Sequence, residues 1–532
     1  MHKNFIVLVF SLVSLTAFGQ SGLPFTVELD SFTISNLEGV QSFAKAQSSN
    51  KWLIIGGRTN GVHPPQPPFA FETQYENKTI FVVEPTTQNV WKANLTNLPT
   101  PIQEQMSATN AEFYQNGDTL YIIGGYSYSP SLQLHITHPY VTAINVPGLM
   151  NAIINNQNIS AFFKQGQSPQ MAVTGGQLGK IGDTFYLVSG QKFTGLYNPN
   201  NGVSFSQAYT KSIRKFKLAL QADTVAILNY EEIKDENSFR RRDYNLVPQI
   251  FPTGEYGYML SSGVFQKDLN LPYLSPTDIR ANTYQHRPGF KQYLSHYHSA
   301  KFGIYDATPK KMYSVFLGGM AQYYYQNNTL VQNDSVPFVK TISVVIRDSL
   351  DSLTEVALLD EMPGLIGSNA EIFYNDSLPF IHDHILDLTN IAGDTILVGH
   401  MFGGIESHEL NPFFLSHNTA SLASNKIYTI KLIRTIVGMQ SPKVPEHPFD
   451  ITLLSNPILD GTLLAKLSER LQSPLNIQVL SQDGKVFLQQ RKTCDYNGIL
   501  TIKLPNNLPS GIYFLTLSQE GVFARTKLFI NK

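Results

Sequence analysis

Two histidine pairs are the first residues of this chain with the types and spacing to do chemistry. His296 and His298 flank Tyr297, and His382 and His384 flank Asp383. Side chains alternate along an extended segment, so each pair presents two imidazoles on one face. If the segments are extended, that is half of a site for zinc or another transition metal, which an Asp or Glu would complete; the usual zinc spacing is absent, however, and no metal site is expected. A second group, Glu406, His408, His400 and Arg287, offers an acid, a base and an anion-pairing cation to a glycan hydrolase or lyase, provided the fold brings them together. A third set suits recognition rather than reaction: Arg58, His63, Tyr126, Arg287 and the run Tyr323, Tyr324 and Tyr325. These residues lie in aromatic, amide-rich stretches of little net charge, which match carbohydrate or peptide better than phosphate. No Gly-x-Ser-x-Gly elbow, His-Glu-x-x-His helix or phosphate-cradling glycine loop occurs, and no cofactor is expected.

The elements that must position these groups are strands. Between residues 24 and 434 the text alternates strand and turn, and one unit recurs. Residues 51–57, 118–125, 183–190, 256–263, 311–319 and 394–404 are each a β-branched and aromatic run closed by small residues. Such a run is a buried strand followed by a close backbone turn. Glycine pairs at these strand ends, Trp91 in Asn89-Val90-Trp91, and His298-Ser299-Ala300 before the fifth copy together resemble kelch repeats, whose blades build β-propellers. The terminal glycines fall at 57, 125, 190, 263, 319 and 404, with gaps irregular and mostly longer than the roughly 50 residues of a kelch unit. The resemblance therefore implies a divergent kelch-like β-propeller of six blades, seven being the alternative count, with large loop insertions.

Closure predicts that residues 25–32 supply the fourth strand of the last blade, which otherwise has three. Each glycine-ended run would be the second strand of its blade. Segments 58–69, 126–140, 320–336 and 405–417 then emerge on one face, joined by the inter-blade segment 284–290, while residues 382–384 emerge on the other. Long loops on a rigid scaffold are where recognition concentrates. A converging pocket with a carboxylate and a histidine would favour an enzyme; a broad aromatic face would favour binding. Known propeller enzymes are tested by absence, and the first of two chemistries is excluded. A galactose-oxidase-like copper radical needs a cysteine crosslinked to tyrosine, and the single Cys494 lies in the terminal segment; the repeated Ser-x-Asp-x-Gly-x-Thr-Trp boxes of sialidases do not occur.

The two ends carry an address. His2 and Lys3 precede an apolar run to Phe18, and Ala17-Phe18-Gly19 puts small residues where a signal peptidase needs them, so residues 1–19 read as a secretory signal peptide. Prolines 442, 445 and 448 mark residues 435–449 as a linker between the propeller of residues 20–434 and a terminal module of residues 450–532. There, alternating runs around an Asp483-Gly484 turn and a Leu508-Pro509-Ser510-Gly511 turn form a small sandwich of six or seven strands and immunoglobulin-like size. The Ser455-Asn456-Pro457 opening, Asp483-Gly484, the run from Pro509 and Gly511 through Tyr513, and the tail ending at Lys532 resemble the C-terminal sorting domain of type IX secretion cargo in Bacteroidetes. That resemblance implies export across the outer membrane by the type IX machinery, and then release or attachment at the surface.

Composition agrees with an all-β secreted protein. The chain has 532 residues and charged residues make up only 15% of it, against roughly a quarter in ordinary soluble domains. Thirty-nine basic against 40 acidic side chains leave a net charge of −1, with no basic footprint for nucleic acid. One cysteine rules out a disulfide framework. After the signal no apolar stretch has transmembrane length. The expected protein is a surface-displayed binding or adhesion propeller for polysaccharide or protein.

Overall fold

Every glycine-ended run is the second strand of an antiparallel set of four, to which the fifth sheet adds the short parallel strand Leu386–Asp387 and the sixth adds Ser421–Ala423. The computed structural model describes residues 23–198, 205–327, 329–414, 419–435, 451–468, 474–481, 486–495, 497–505, 508–519 and 522–531. The signal peptide, nearly all of the expected linker, and Asp483, Gly484 and Lys532 lie outside the described residues. The chain divides into two units, residues 1–444 and 445–532.

In the first unit six sheets follow one another, all-β and propeller-like in organisation. The first is Ala44–Ser48, Lys51–Ile55, Thr79–Glu84 and Asn89–Asn94; the second is Glu112–Asn116, Thr119–Ile123, Tyr140–Asn145 and Phe163–Gln167. The third is Gln177–Ile181, Thr184–Val188, Ser212–Leu220 and Val225–Lys234; the fourth is Asn245–Ile250, Tyr256–Ser261, Thr277–Ile279 and Tyr284–His286. The fifth is Ala300–Asp306, Lys311–Leu317, Thr341–Arg347 and Leu353–Glu361. The sixth is Leu365–Tyr374, Thr395–Ser407 and Ile427–Arg434, and its outer strand is Phe25–Phe32, paired Phe25 to Arg434 and Phe32 to Ile427. The segment expected to close the last sheet does so, which satisfies an edge that would otherwise lie open.

Two rings of backbone hydrogen bonds tie the sheets head to tail. Gly57 donates to Ala108, Gly125 to Val173, Gly190 to Arg241, Gly263 to His296, Gly319 to Ile366 and Gly404 to Val40, at 2.9–3.0 Å. These are the six terminal glycines of the repeat, all with φ between +80° and +93°. A β-carbon on Gly57 would sit 2.4 Å from the Gln41 carbonyl oxygen, so glycine is required there by space as well as by conformation. Nearer the axis, Ser42 donates to Asn369, Asn110 to Ser42, Gly175 to Asn110, Asp243 to Gly175, His298 to Asp243 and Asn369 to His298, at 2.8–3.3 Å. Apolar clusters fill the clefts between neighbouring sheets all the way round, from Leu53, Ile122 and Leu149 between the first two to Phe302, Val315 and Ile430 between the last two. Between the fourth and fifth sheets the apolar filling is divided into two small clusters (Val247, Met259, Phe290, Phe316 and Val345; Ile250, Met312 and Ile385). There a buried ion network adds to it: Arg347 meets Asp278 at 2.5 Å, both 1% exposed, and Asp351 at 2.5 Å, and Arg287 joins the same two carboxylates.

Segment 126–140 is not an irregular loop. Tyr126–Ser129 and Leu134–Thr137 pair with Gln191–Gly195 and Phe205–Tyr209 in a further four-stranded sheet built from the insertions of the second and third sheets. Likewise residues 284–290 begin as the fourth sheet's outer strand rather than as a connecting loop.

The second unit has two sheets around one apolar core. Ile451–Leu453, Thr462–Leu467 and Ile499–Lys503 form one; Val486–Lys492, Leu475–Ser481, Gly511–Gln519 and Val522–Ile530 form the other. Asn456, before Pro457, accepts from the Phe529 amide at 2.8 Å, and the Tyr513 hydroxyl donates to the Pro509 carbonyl at 3.0 Å. No helix among the described residues is long and apolar enough to cross a membrane.

Candidate functional site

Turns after the second strands converge on one cavity at the axis of the first unit. It holds about 250 Å³ and takes Arg58, His63 and Phe71 from the first sheet's insertion, Tyr126 and Phe193 from the additional sheet, and Ile405 and Phe413 from the sixth. Of the expected recognition residues, Arg58, His63 and Tyr126 therefore meet in one wall. The Phe71 ring is the hub: His63 lies against it at 3.9 Å, Tyr126 meets it edge-on at 5.1 Å and Tyr197 at 5.9 Å. Tyr126 donates its hydroxyl to the Gly195 carbonyl at 2.8 Å, which locks the ring, and burial pushes the phenol's pKa well up. His63 shares Nδ1 with the Pro64 carbonyl at 2.8 Å; burial lowers its pKa to about 4, so the imidazole is neutral at pH 7.

The floor is the inner hydrogen-bonded ring. Ser42, Asn110, Gly175 and Asp243 line both this cavity and a second one of about 160 Å³ beneath it, where Glu112, His298, Lys301 and Glu371 face inward. Asp243 is paired with Arg242. Glu112 is 1% exposed and accepts from the Gly176 amide at 2.8 Å, while its Oε2 has no hydrogen-bond partner among the described residues; burial raises its pKa to about 8. Sequence reasoning missed these floor residues, yet a signal existed. Ser42, Asn110, Gly175, Asp243 and Asn369 all have φ between +49° and +68°, and the first four stand two positions before their sheet's first strand. Small or amide residues of this kind tolerate that conformation, so an alignment of first strands would have shown them.

The histidine pairs do not form metal half-sites. His296 uses both ring nitrogens, Nε2 toward the Gln292 carbonyl at 2.9 Å and Nδ1 accepting from the Gln322 amide at 2.8 Å. His298 turns instead to Glu371, at 3.2 Å. Neither segment is an extended strand, and Asp383 and His384 have φ of +40° and +59°, so the alternation that would align the imidazoles is absent. His384 stacks on Tyr374 at 4.5 Å, His382 lies against Tyr256 at 4.9 Å, and between them the Asp383 carboxylate accepts from the hydroxyls of Tyr114, Tyr256 and Tyr258. This turn lines a third cavity, which shares Lys301 and Glu371 with the second.

The Glu406 group does not converge either. Glu406 binds Lys426 at 2.7 Å, His408 is exposed, His400 packs beside Trp52 and Phe32, and Arg287 is held in the ion network. Tyr323, Tyr324 and Tyr325 form a hairpin strand paired with Thr329–Gln332; Tyr323 packs edge-on against Tyr293 at 4.7 Å, and none of the three lines the cavity. Irregular inserts of different length put residues on one side of the molecule without aiming them at one point.

No protein-family model and no curated protein matches the chain. Among solved structures it is similar to a fungal alcohol oxidase of the AA5 family in complex with copper, at 8% identity and a TM-score of 0.34 over 96% of this chain and 99% of that one. It is also similar to YjhT, at 10% identity and 0.40 over 74% and 98%. A glycoside hydrolase family 43 arabinoxylan arabinofuranohydrolase from Bacillus subtilis, solved with cellotetraose, aligns at 12% identity and 0.29 over 93% and 96%.

Proposed function

We propose that this protein is a secreted, six-bladed kelch-like propeller that binds a glycan in its axial cavity. The observation that carries the reading is the wall of Phe71, Tyr126, Phe193 and Tyr197 over a floor of polar residues in one concavity. Aromatic faces stack on the C–H faces of sugars, and a few fixed amides and hydroxyls set orientation. At about 250 Å³ the cavity is smaller than the roughly 300–1,000 Å³ of sites for drug-sized ligands, which favours one sugar ring or a chain end over an extended polymer. The terminal residues support export as type IX cargo, with the second unit as an immunoglobulin-like sorting domain and residues 1–19 as the signal. A glycan and protein array probed with the full chain, with and without chelator, tests the binding reading; a blank array abandons it. A chain ending at residue 449 that still reaches the cell surface of a type IX secreting host abandons the sorting reading.

One observation favours catalysis as a second reading: Asp243 and His63 line the same cavity. Turnover of a bound glycan, lost in Asp243→Asn with binding retained, would establish it.

A further inference from the structure

The axial cavity holds three charged side chains, and two of them are guanidinium groups. Arg58 is 2% exposed; it donates from Nε to Asn60 at 3.0 Å and from Nη2 to the Glu72 carbonyl at 2.9 Å, and lies over the Phe71 ring at 5.3 Å. Its Nη1 makes no hydrogen bond among the described residues. Arg242 donates to Asp243, stacks over Phe265 at 5.2 Å, and leaves its buried Nε without a partner. Glu76, bridged to Arg58 through the backbone, accepts from the Tyr128 amide at 2.8 Å, and burial raises its pKa; it and Glu72 act on Arg58 from behind, without an ion pair to it among the described residues. Among the residues that line the cavity, Asp243 stands against two guanidinium groups, so the lining itself holds one more cation than anion, with Glu72 and Glu76 set behind Arg58. The Arg58 Nη1 is thus open to the cavity, where an acceptor can complete the guanidinium's hydrogen bonds.

Resting on the glycan reading above, we infer that the cavity takes an acidic sugar, whose carboxylate completes Arg58 while its ring lies against the aromatic wall. Three features select a carboxylate. A single negative charge matches the one extra cation of the lining, and the nearby Asp243 repels a phosphate-type dianion; a sulfate ester carries the same single charge and is separated from a carboxylate by shape. The planar guanidinium suits a planar carboxylate. The aromatic wall supplies contact that an inorganic anion could not use.

Isothermal titration of the full chain with glucuronate, glucose, glucose 6-sulfate and inorganic sulfate tests this, alongside a glycan array containing terminal uronic acids. The expected result is binding of a uronic acid at least about tenfold tighter than of its neutral parent and of the sulfated sugar, with the preference lost in Arg58→Gln. Equal binding of the neutral parent overturns the inference and leaves the glycan reading standing. Tighter binding of the sulfated sugar, or of sulfate alone, overturns the choice of a carboxylate. Silence of every sugar overturns both. The acid-to-neutral comparison is made on the unmodified protein, so it remains decisive if Arg58→Gln fails to fold.

Discussion

Replacing Glu112 with Gln removes a pH-dependent penalty on folding. Glu112 and Glu355 are 1% and 3% exposed, neither has a cation in contact among the described residues, and burial raises both pKa values from 4.5 to about 8 despite the backbone amides they accept. Above pH 4.5 the unfolded chain releases these protons while the folded chain keeps them. The stability each protonated carboxyl contributes is complete below pH 4.5 and is lost as pH rises to about 8. The slope is at most about 1.4 kcal/mol per pH unit per group, so wild type should lose roughly 2–3 kcal/mol between pH 6.5 and 7.5 from the pair. Histidines shape the acid limb: His138 and His296, both 0% exposed, have pKa values lowered by burial from 6.5 to about 4, as has His63, so their contribution is present above pH 6.5 and is lost on acidification through that window. Urea unfolding followed by tryptophan fluorescence reports on the first unit alone, because the only two tryptophans, Trp52 and Trp91, lie there. Glu112→Gln keeps the acceptor for the Gly176 amide and should about halve the slope between pH 6.5 and 7.5. An unchanged slope would refute the claim that Glu112 is protonated in the folded protein.

Three other perturbations test the architecture. Asp278→Ala leaves the buried Arg347, and Arg287 beside it, with the partly exposed Asp351 as their remaining carboxylate, and should cost about 2–3 kcal/mol in the same urea assay, below the full cost of an unpaired buried charge; a loss under 1 kcal/mol would mean the network is solvated. Gly125→Ala forces φ of +85° on a residue whose β-carbon would meet that of Ala108 at 2.8 Å, so it should cost more than Gly117→Ala, where φ is +58° and nothing lies within 4 Å; the expected losses are about 2–3 against about 1 kcal/mol, and equal losses would count against the glycine ring as a packing device. Asp383→Ala removes the shared acceptor of three tyrosines, and hydrogen exchange in residues 380–387 should quicken by at least tenfold, from a loss of about 1.5–3 kcal/mol in local stability. Unchanged exchange there would mean the turn is held by its ring contacts.

Much of the ring was legible in the residues. Apolar runs ending in glycine specify a strand and the turn that follows it, because both depend on near neighbours, and the six terminal glycines took the positions expected of them. The closure by residues 25–32 was legible too, since a three-stranded last sheet leaves an edge that an unassigned alternating segment can fill. Arg58, His63 and Tyr126 followed from the same turn rule. What only the tertiary structure decided was which inserts bend toward the axis. Tyr323–Tyr325 packs sideways and segment 126–140 folds into a sheet, choices set by long-range partners such as Tyr293 and residues 191–195. The cavity floor is the clearest case: Ser42, Asn110, Gly175 and Asp243 lie scores of residues apart in the chain and become neighbours only when the ring closes. For the same reason the spacing of His382 and His384 misled, because a turn gripping three distant tyrosines overrode the alternation that a strand would have imposed.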